Sequence, residues 1–370
     1  MHFDVAIVGA GICGLAHALA ASRRGLKIAV FDRDAQANGA SIRNFGFITV
    51  TGQQAGEGWS RAMRSRDVWA EIAEAAGIPI VQKGLIVAAR RAEAQGVLEA
   101  FAATEMGRGC EMLSAEAAAR RLPALGKIEA ALYSPHELRV ESRTAIGRLA
   151  GWLTERRGAS FFRQTVVHTV DGNTIETSRG SFEADTVIVC PGDDFGTLFA
   201  DRLAAYKLTR CKLHMMRLAA PTTPLAVPVM SDLGLVRYLG YAELPEAQAL
   251  KVRLEAEQAA QLENGVHLIV VASADGSLVV GDSHHYAPTP DPFAPEAVDD
   301  LILEEFRAVL PGYAELKVAE RWIGTYASAS DRLALIDKPS ERVRLVTITS
   351  GTGASTSFAI GEEVIGELFD

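Results

Sequence analysis

Three glycines near the start of the chain have the spacing of a phosphate-binding turn. Gly9, Gly11 and Gly14 follow an apolar run, 5–8, that predicts a buried strand, and they open an alanine- and leucine-rich run that predicts a helix. Gly9 permits a tight turn, Gly11 leaves the backbone open to a pyrophosphate, and Gly14 lets the helix pack closely on the sheet. The unpaired N–H groups and positive end of that helix favour bound phosphate.

A carboxylate follows this turn at the distance that a dinucleotide requires. The apolar run 27–31 predicts a second strand, which ends in Asp32. In dinucleotide-binding folds an acidic side chain at this point accepts hydrogen bonds from the adenosine ribose. Strand, turn, helix, second strand and carboxylate occur in the required order and predict a dinucleotide-binding unit. A glycine-rich turn without a ligand is the alternative.

Two later segments indicate that the cofactor is held from both ends. Residues 165–177 predict a β-hairpin, and the apolar strand after it ends in Cys190-Pro191-Gly192 and returns to the first sheet. Near the C-terminus the apolar strand 343–349 runs into Ser350-Gly351-Thr352-Gly353 and then a predicted helix. This second glycine-rich junction between a strand and a helix predicts a second contact with the cofactor.

These segments, with Trp322-Ile323-Gly324 and Asp331, resemble the superfamily of D-amino acid oxidase, glycine oxidase and sarcosine oxidase over nearly the whole chain. The resemblance implies an α/β fold with a Rossmann-type FAD-binding domain, like that of glutathione reductase, and an inserted mixed-sheet substrate domain. The implied division of the chain is 1–80, 140–205 and 320–370 for the FAD-binding domain, and 81–139 and 206–319 for the substrate domain.

The resemblance also implies which residues contact the FAD. They come from the glycine turn, the ribose carboxylate and the segment after it, the return hairpin and strand, and the C-terminal loop. The predicted cofactor-binding residues are Gly9, Gly11, Ile12, Cys13, Gly14, Asp32, Arg33, Ser41, Arg43, Asn44, Phe45, Gly46, Val166, Val167, Cys190, Gly192, Trp322, Gly324, Asp331, Gly351, Thr352, Gly353, Ala354, Ser355 and Thr356. We expect noncovalent FAD, because no histidine lies between His17 and His136 and no cysteine follows Cys211.

Two stretches narrow the resemblance further. Residues 41–53 and 350–363 are similar to a bacterial subgroup associated with phosphonate breakdown. That similarity implies FAD-dependent oxidation of 2-aminoethylphosphonate or an N-alkyl derivative to an imine, which hydrolyses to an aldehyde and an amine. Molecular oxygen is the expected electron acceptor, and the residues leave the choice between oxidase and dehydrogenase open.

The sequence departs from the amino-acid oxidase pattern where a substrate carboxylate is usually bound. Relatives place one arginine two residues after the glycine of the Trp-x-Gly motif, where this chain has Tyr326, and often another in the C-terminal loop, which reads Ser350-Gly351-Thr352 here. Other side chains must then hold the anion and handle protons. The candidates for anion binding are Arg43, Arg237, Tyr241, His285, Tyr326 and Thr352, and those for proton transfer are His214, His284 and Tyr326.

Two other functions remain open. The first is an oxidase of glycine or sarcosine, with the same fold and cofactor, against which the missing arginines count. The second is an FAD-binding protein without oxidase activity, for example in tRNA modification, for which a net charge of −9 gives little support. A metal-dependent hydrolase is excluded, because no histidine and carboxylate cluster has the spacing of metal ligands.

The composition sets the remaining limits. A chain of 370 residues that is 48% hydrophobic and 22% charged suits two joined globular domains. The negative charge argues against nucleic acid as a partner. Four cysteines without a CxxC pair, no basic leader and no apolar run of membrane-spanning length predict a reduced, cytoplasmic protein that does not bind membranes.

The remaining elements are predicted from periodicity and turn residues. They are helices at 59–76, 296–309 and 358–368, one or two helices within 90–121, and strands at 83–89, 208–218 and within 267–282.

Overall fold

In the computed structural model, which describes residues 2–370, the chain forms two β-sheets with helices packed against them. The strands are β1 (His2–Val8), β2 (Ile28–Phe31), β3 (Phe47–Ile48), β4 (Ile80–Ala89), β5 (Glu111–Ser114), β6 (Ala130–Val140), β7 (Ser160–Phe162), β8 (Val167–Asp171), β9 (Thr174–Thr177), β10 (Gly180–Val189), β11 (Thr209–Leu218), β12 (Val229–Ser231), β13 (Ile269–Ala272), β14 (Leu278–Gly281), β15 (His285–Ala287), β16 (Val318–Ser328), β17 (Ala334–Ser340) and β18 (Val343–Ile348). The helices are α1 (Ile12–Arg23), α2 (Glu57–Ala73), α3 (Ala92–Ala102), α4 (Ala115–Arg121), α5 (Ser142–Arg157), α6 (Ala200–Ala204), α7 (Leu239–Ala242), α8 (Ala247–Glu257), α9 (Ala259–Glu263), α10 (Glu296–Val309) and α11 (Gly353–Phe369).

The first sheet draws its strands from three separate parts of the chain. Its order is β17-β18-β10-β1-β2-β7, and the β8–β9 hairpin joins it through β9. The five strands from β18 to β7 run parallel to their neighbours. Strands β2 and β18 are apolar and almost entirely buried, as expected where helices and loops cover both faces of a parallel sheet.

Helices α1 and α11 pack side by side against this sheet. A Cβ atom on Gly361 would lie 2.8 Å from the backbone of Ala16, so a glycine is needed where the two helices touch. Helix α2 packs on α11 through Trp69, whose ring meets Phe358 edge to face at 5.0 Å and whose indole N–H donates to the carbonyl oxygen of Ala354 at 2.8 Å. These contacts fix the N-termini of α1 and α11 on the same side of the molecule.

The second sheet is mixed and larger. Its order is β15-β11-β14-β13-β12-β4-β6-β3, with β16 paired to β11 and β5 to β6. Strand β12 runs parallel to β4, and the other pairs are antiparallel. Strands β3 and β16 belong to this sheet. The division predicted from the sequence places them in the FAD-binding domain, but each of these chain segments passes from one sheet to the other.

Most predicted elements occur near their predicted bounds, with two differences. Helix α11 begins at Gly353 rather than near residue 358, so the second glycine-rich loop is shorter than predicted. The stretch 90–121 holds α3 and α4, as predicted, with the short strand β5 directly before α4. No helix within residues 2–370 has both the length and the apolar character needed to cross a bilayer.

Candidate cofactor and substrate site

A cavity of about 600 Å³ lies between the two sheets. The first sheet and the N-termini of α1 and α11 line one side of it, and strands and loops of the second sheet line the other. Most predicted cofactor-binding residues lie in its wall. They are Gly9, Gly11, Ile12, Cys13, Gly14, Asp32, Arg33, Ser41, Arg43, Asn44, Phe45, Val166, Val167, Cys190, Gly192, Gly324, Gly351, Thr352, Gly353, Ala354 and Ser355.

The first glycine turn is as tight as its sequence predicts. Gly9 has a φ of +103°, and a Cβ atom there would lie 2.3 Å from the carbonyl oxygen of Cys190. A Cβ atom on Gly14 would lie 1.8 Å from the carbonyl oxygen of Gly9. At the end of β2, the Asp32 carboxylate accepts hydrogen bonds from the backbone N–H of Ala10 at 2.7 Å and of Asp34 at 2.9 Å. The turn and the carboxylate are therefore held as one rigid unit.

The segment after Asp32 closes over the start of α1. The Ser41 hydroxyl accepts a hydrogen bond from the N–H of Ile12 at 2.9 Å, and a Cβ atom on Gly11 would lie 2.9 Å from that hydroxyl. Gly11 therefore leaves the backbone open to the cavity. The carbonyl oxygen of Arg43 accepts a hydrogen bond from the indole of Trp322 at 3.1 Å, which ties this segment to β16.

The C-terminal loop brings a second helix N-terminus into the same cavity. Gly351 has a φ of +73°, and a Cβ atom there would lie 2.9 Å from the ring of Tyr326. The hydroxyl groups of Ser350 and Thr352 lie 2.7 Å apart directly before α11. Two helix N-termini with open glycine backbones thus face one elongated cavity, a donor set that suits an extended anionic cofactor. The residues present therefore fit FAD.

Four of the predicted cofactor-binding residues do not line this cavity. Gly46 has a φ of +63° and packs against Val140, and Trp322 supports the backbone of the segment after Asp32. Asp331 lies on the surface, paired with Arg332 at 2.5 Å. Thr356 lies inside α11, where its hydroxyl donates to the carbonyl oxygen of Thr352 at 3.0 Å. The side chains of Trp322, Asp331 and Thr356 point away from the cavity, and Gly46 has no side chain to contribute.

An arginine and several phenols line another part of the cavity wall, which includes Tyr326 beside the C-terminal loop. Arg237 donates from Nη2 to the hydroxyl oxygen of Tyr286 at 2.6 Å, and within residues 2–370 it forms no salt bridge. The His284 ring lies 6.4 Å from the Tyr286 ring and 6.5 Å from the Tyr326 ring. A guanidinium group that lines a cavity without a carboxylate partner is available to a bound anion.

Two histidines and an aspartate lie beside this arginine, and we call them the His–Asp–His cluster (His267, Asp282 and His284). Nδ1 of His267 lies 3.3 Å from Oδ1 of Asp282, and Nε2 of His284 lies 3.8 Å from Oδ2. Burial raises the pKa of the Asp282 carboxyl to about 8, against the opposing effect of Arg237. Burial also holds the pKa of both imidazoles well below the usual value.

Three predicted substrate or proton-transfer residues lie outside the cavity, and these predictions are corrected. His214 follows Leu213, which does line the cavity, and successive side chains of a strand point to opposite faces. The same alternation turns His285 away, so that its Nε2 lies 3.1 Å from the Asn264 side chain. Tyr241 is fully buried against Phe101, where it contributes to the core of the second sheet.

The remaining candidates, Arg43, Arg237, His284, Tyr326 and Thr352, line the cavity together. The polar residues that line the cavity without having been predicted include Tyr238, His267, Asp282 and Tyr286. One signal was present in the sequence: Asp282, His284 and Tyr286 alternate, which places them on one face of an extended segment. His267 and Tyr238 come from distant segments, and no local pattern marks them.

Comparison with known proteins gives a consistent result. A family model described as FAD dependent oxidoreductase (DAO) matches residues 4–366. Monomeric sarcosine oxidase from Bacillus sp. (strain B-0618) is 30% identical over 201 residues, which are 52% of this chain and 51% of that protein, so the match spans about half of each.

Solved structures extend the likeness to the whole fold. The crystal structure of glycine oxidase from Geobacillus kaustophilus has a TM-score of 0.78 at 21% identity, covering 99% of this chain and 94% of the other. That of L-proline dehydrogenase from P. horikoshii has a TM-score of 0.79 at 18% identity, covering 98% and 93%. These matches confirm the predicted α/β fold with its FAD-binding architecture and mixed sheet.

Proposed function

The chain belongs to the DAO family of FAD-dependent oxidoreductases, and from this premise we propose that it oxidises the C–N bond of a small amine carrying one anionic group. The family match confirms FAD as the cofactor. When bound, FAD would supply the acceptor for a hydride from the carbon that bears the nitrogen. The residues of the chain must therefore bind the amine, orient that carbon towards the C-terminal loop and keep water away from it.

The observation that carries the proposal is Arg237. Its guanidinium group lines the cavity, is held by the Tyr286 hydroxyl and has no carboxylate partner within residues 2–370. Arg237 is one of the anion-binding candidates that the sequence offers, and it would replace the arginines that relatives carry at the position of Tyr326 and in the loop 350–352. An anion bound there would leave the amine beside the His–Asp–His cluster.

The first candidate substrate is an amino acid of the glycine or sarcosine type. The sarcosine oxidase and glycine oxidase matches support it, since their names give that substrate class. The product would be an imine, which hydrolyses to a carbonyl compound and an amine or ammonia. We propose molecular oxygen as the electron acceptor, as those oxidase names suggest, although the matched fold also includes a protein named as a dehydrogenase.

The second candidate is 2-aminoethylphosphonate or an N-alkyl derivative. No comparison supports it, and it rests on the stretches 41–53 and 350–363 and on one feature of the cavity. Hydroxyl groups of Tyr286, Tyr326 and Thr352 line the cavity together with Arg237. A phosphonate has three oxygen atoms to satisfy and a carboxylate has two, so this donor-rich wall favours the larger anion.

Anaerobic bleaching of the flavin tests both candidates with the purified holoprotein. Absorbance of the oxidised flavin is followed with glycine, sarcosine, 2-aminoethylphosphonate and its N-methyl derivative, each paired with the same amine lacking the anion. We expect bleaching either by glycine and sarcosine or by the two aminophosphonates. The amines without the anion, which are methylamine, dimethylamine, ethylamine and N-methylethylamine, should react at least tenfold more slowly. Equal rates with and without the anion would reject the anion site, and no bleaching by any amine would reject the proposed reaction.

A further inference from the structure

The His–Asp–His cluster differs from an ordinary buried ion pair in having unused polar atoms. His267 and Asp282 lie opposite each other on neighbouring segments and exchange both backbone hydrogen bonds, at 3.0 and 3.2 Å. Nδ1 of His267 and Oδ1 of Asp282 face each other at 3.3 Å, but within residues 2–370 neither buried atom forms a well-aligned hydrogen bond. Buried polar atoms are usually satisfied, and those left unsatisfied call for a functional explanation.

The outer nitrogens of both imidazoles are already engaged. Nε2 of His267 lies 3.2 Å from the Tyr238 hydroxyl, and Nδ1 of His284 lies 2.9 Å from the carbonyl oxygen of Gly265. The remaining nitrogen of each ring is directed at the Asp282 carboxylate. The cluster is therefore arranged around one carboxylate, and all three side chains line the cavity next to Arg237.

We propose that the His–Asp–His cluster binds the ammonium group of the substrate and accepts the proton that this group must lose before oxidation. An N–H bond of the ammonium breaks, its electron pair stays on nitrogen, and the proton passes to the Asp282 carboxylate, which becomes a neutral acid. Because Arg237 would hold the anion, the cavity is complementary to a zwitterion. This inference rests on the proposed function, of which it names the proton acceptor.

The charges around Asp282 favour a proton over a metal ion. Arg237 contributes a fixed positive charge to the same wall, which repels a divalent cation about twice as strongly as a singly charged ammonium group at the same distance. Transfer of the proton converts the Asp282 carboxylate into a neutral acid and the ammonium group into a neutral amine, so neither group keeps a buried charge. The titratable and charged groups near the carboxylate are His267, His284, Arg237, Tyr238, Cys211, Tyr286 and Tyr326.

The expected pH dependence of kcat/KM follows from the protonation state that Asp282 needs in order to accept a proton. Asp282 must be ionised to accept a proton, and burial raises its pKa to about 8. The value of kcat/KM for flavin reduction should therefore rise with pH through about 8 and fall again where the substrate ammonium itself loses its proton. Without an acceptor, only the neutral amine would react, and kcat/KM would rise up to the pKa of the amine with no limb near 8.

The test compares Asp282→Asn with Asp299→Asn, since Asp299 belongs to a second buried Asp–His pair that does not line the cavity. We expect Asp282→Asn to lose the limb near pH 8 and to lower kcat/KM at pH 8 by about 100-fold, the usual scale of a proton acceptor. Asp299→Asn should keep the limb. Flavin content of each variant checks that the cavity has formed.

A binding measurement separates this inference from the proposed function. 2-Aminoisobutyrate has no hydrogen on the carbon bearing nitrogen, so it binds without being oxidised, and binding is followed through the flavin spectrum. Its affinity for the wild type should rise through pH 8, and that rise should be absent in Asp282→Asn. If Asp282→Asn fails to fold, His284→Leu should move the limb upwards, because an apolar neighbour disfavours the ionised carboxylate.

The remaining outcomes each bear on whether the His–Asp–His cluster accepts the proton or on whether the protein oxidises an amine. An unchanged pH limb in Asp282→Asn, or in His284→Leu, would overturn the inference while leaving amine oxidation intact. Loss of activity on treatment with a chelator, restored by Zn²⁺ or Fe²⁺, would assign the cluster to a metal ion instead. Absence of flavin reduction by every amine, with pH-dependent binding of 2-aminoisobutyrate, would reject the proposed reaction and keep the acceptor.

Discussion

The molecule contains two buried clusters of histidine and aspartate that look alike by residue type and burial. In one, Nδ1 of His214 lies 2.9 Å from Asp299, whose other oxygen accepts from Arg321 at 2.8 Å. In the other, the His–Asp–His cluster, no arginine within residues 2–370 is bonded to Asp282, and its oxygen atoms lie 3.3 and 3.8 Å from histidine nitrogens. Both carboxylate oxygens of Asp299 are hydrogen-bonded and its cluster lies away from the cavity, whereas the His–Asp–His cluster lines the cavity.

This difference indicates that burial of an ionisable group is not by itself evidence of a functional role. What distinguishes the two clusters is whether neighbouring side chains form hydrogen bonds with the carboxylate, and the face of the sheet to which each cluster points. Arg237 and Arg321 differ in the same way, since Arg321 is bonded to Asp299 and Arg237 has no carboxylate partner within residues 2–370. Charged groups that line one cavity and lack an oppositely charged partner are a better indication of a functional site.

One expected effect concerns the cofactor side of the cavity, where a backbone position rather than a charged group is changed. Gly351→Ala should weaken FAD binding at least about tenfold, because an alanine at positive φ costs roughly 1–2 kcal/mol before its contact with Tyr326 is counted. Fluorescence titration of the apoprotein with FAD measures the change. Gly147→Ala is the control, since a Cβ atom there has no neighbour within 4 Å, and equal affinities of both variants would contradict the account.

A second effect concerns stability at alkaline pH. The folded protein holds the Asp282 proton more tightly than the unfolded chain does, because its pKa is raised from 3.8 to about 8. Stability is therefore lost as pH rises from about 4 through 8, where the unfolded carboxyl is ionised first. Asp282→Asn removes this penalty and should raise the melting temperature at pH 9 by a few degrees, with little change near pH 4.

Asp299→Asn should do the opposite, because it leaves His214 and Arg321 with a weaker partner. Its melting temperature should fall. Differential scanning calorimetry of both variants at pH 4 and 9 makes the comparison. A lower melting temperature for Asp282→Asn at pH 9 would mean that the buried carboxylate stabilises the fold, contrary to its proposed role.

The smallest effect should come from the phenol that holds Arg237. Tyr286→Phe removes one hydrogen bond to the guanidinium group, worth about 1 kcal/mol, and should raise KM for the acidic amine about fivefold with little change in kcat. Tyr206→Phe removes a similar hydrogen bond, from a phenol to Asp337, outside the cavity. Steady-state kinetics that gave both variants the same KM would remove Tyr286 from the anion site.

The sequence predicts the FAD side of the site much better than the substrate side. The first glycine turn and Asp32 are encoded within about 30 consecutive residues, where strand, turn and helix each have a local signal. Helix α10 spans the predicted residues 296–309 because its apolar spacing is regular. The start of α11 was placed too late, because its first turn consists of small polar residues and glycine that also suit a loop.

The substrate side depends on strand pairing between distant segments. Asp282 meets His267 only because two neighbouring segments pair in one register, and Arg237 reaches the same wall from a loop before α7. Register also decides that His284 faces the cavity and His285 does not, and a shift by one residue would exchange them. Composition and local spacing carry no information on such register, so His214 and Tyr241 were chosen by type alone.

The most direct measurement of the central claim crosses two arginine variants with two amines. Rates of anaerobic flavin reduction by an acidic amine that bleaches the wild type, and by the same amine without its anion, are compared in Arg237→Met and Arg321→Met. Loss of a buried charged partner costs about 2–5 kcal/mol, so Arg237→Met should slow the acidic amine at least about 30-fold while leaving the simple amine nearly unchanged. Arg321→Met should leave the rates of flavin reduction by both amines close to those of the wild type. An equal loss for both amines in Arg237→Met would contradict an anion site at Arg237.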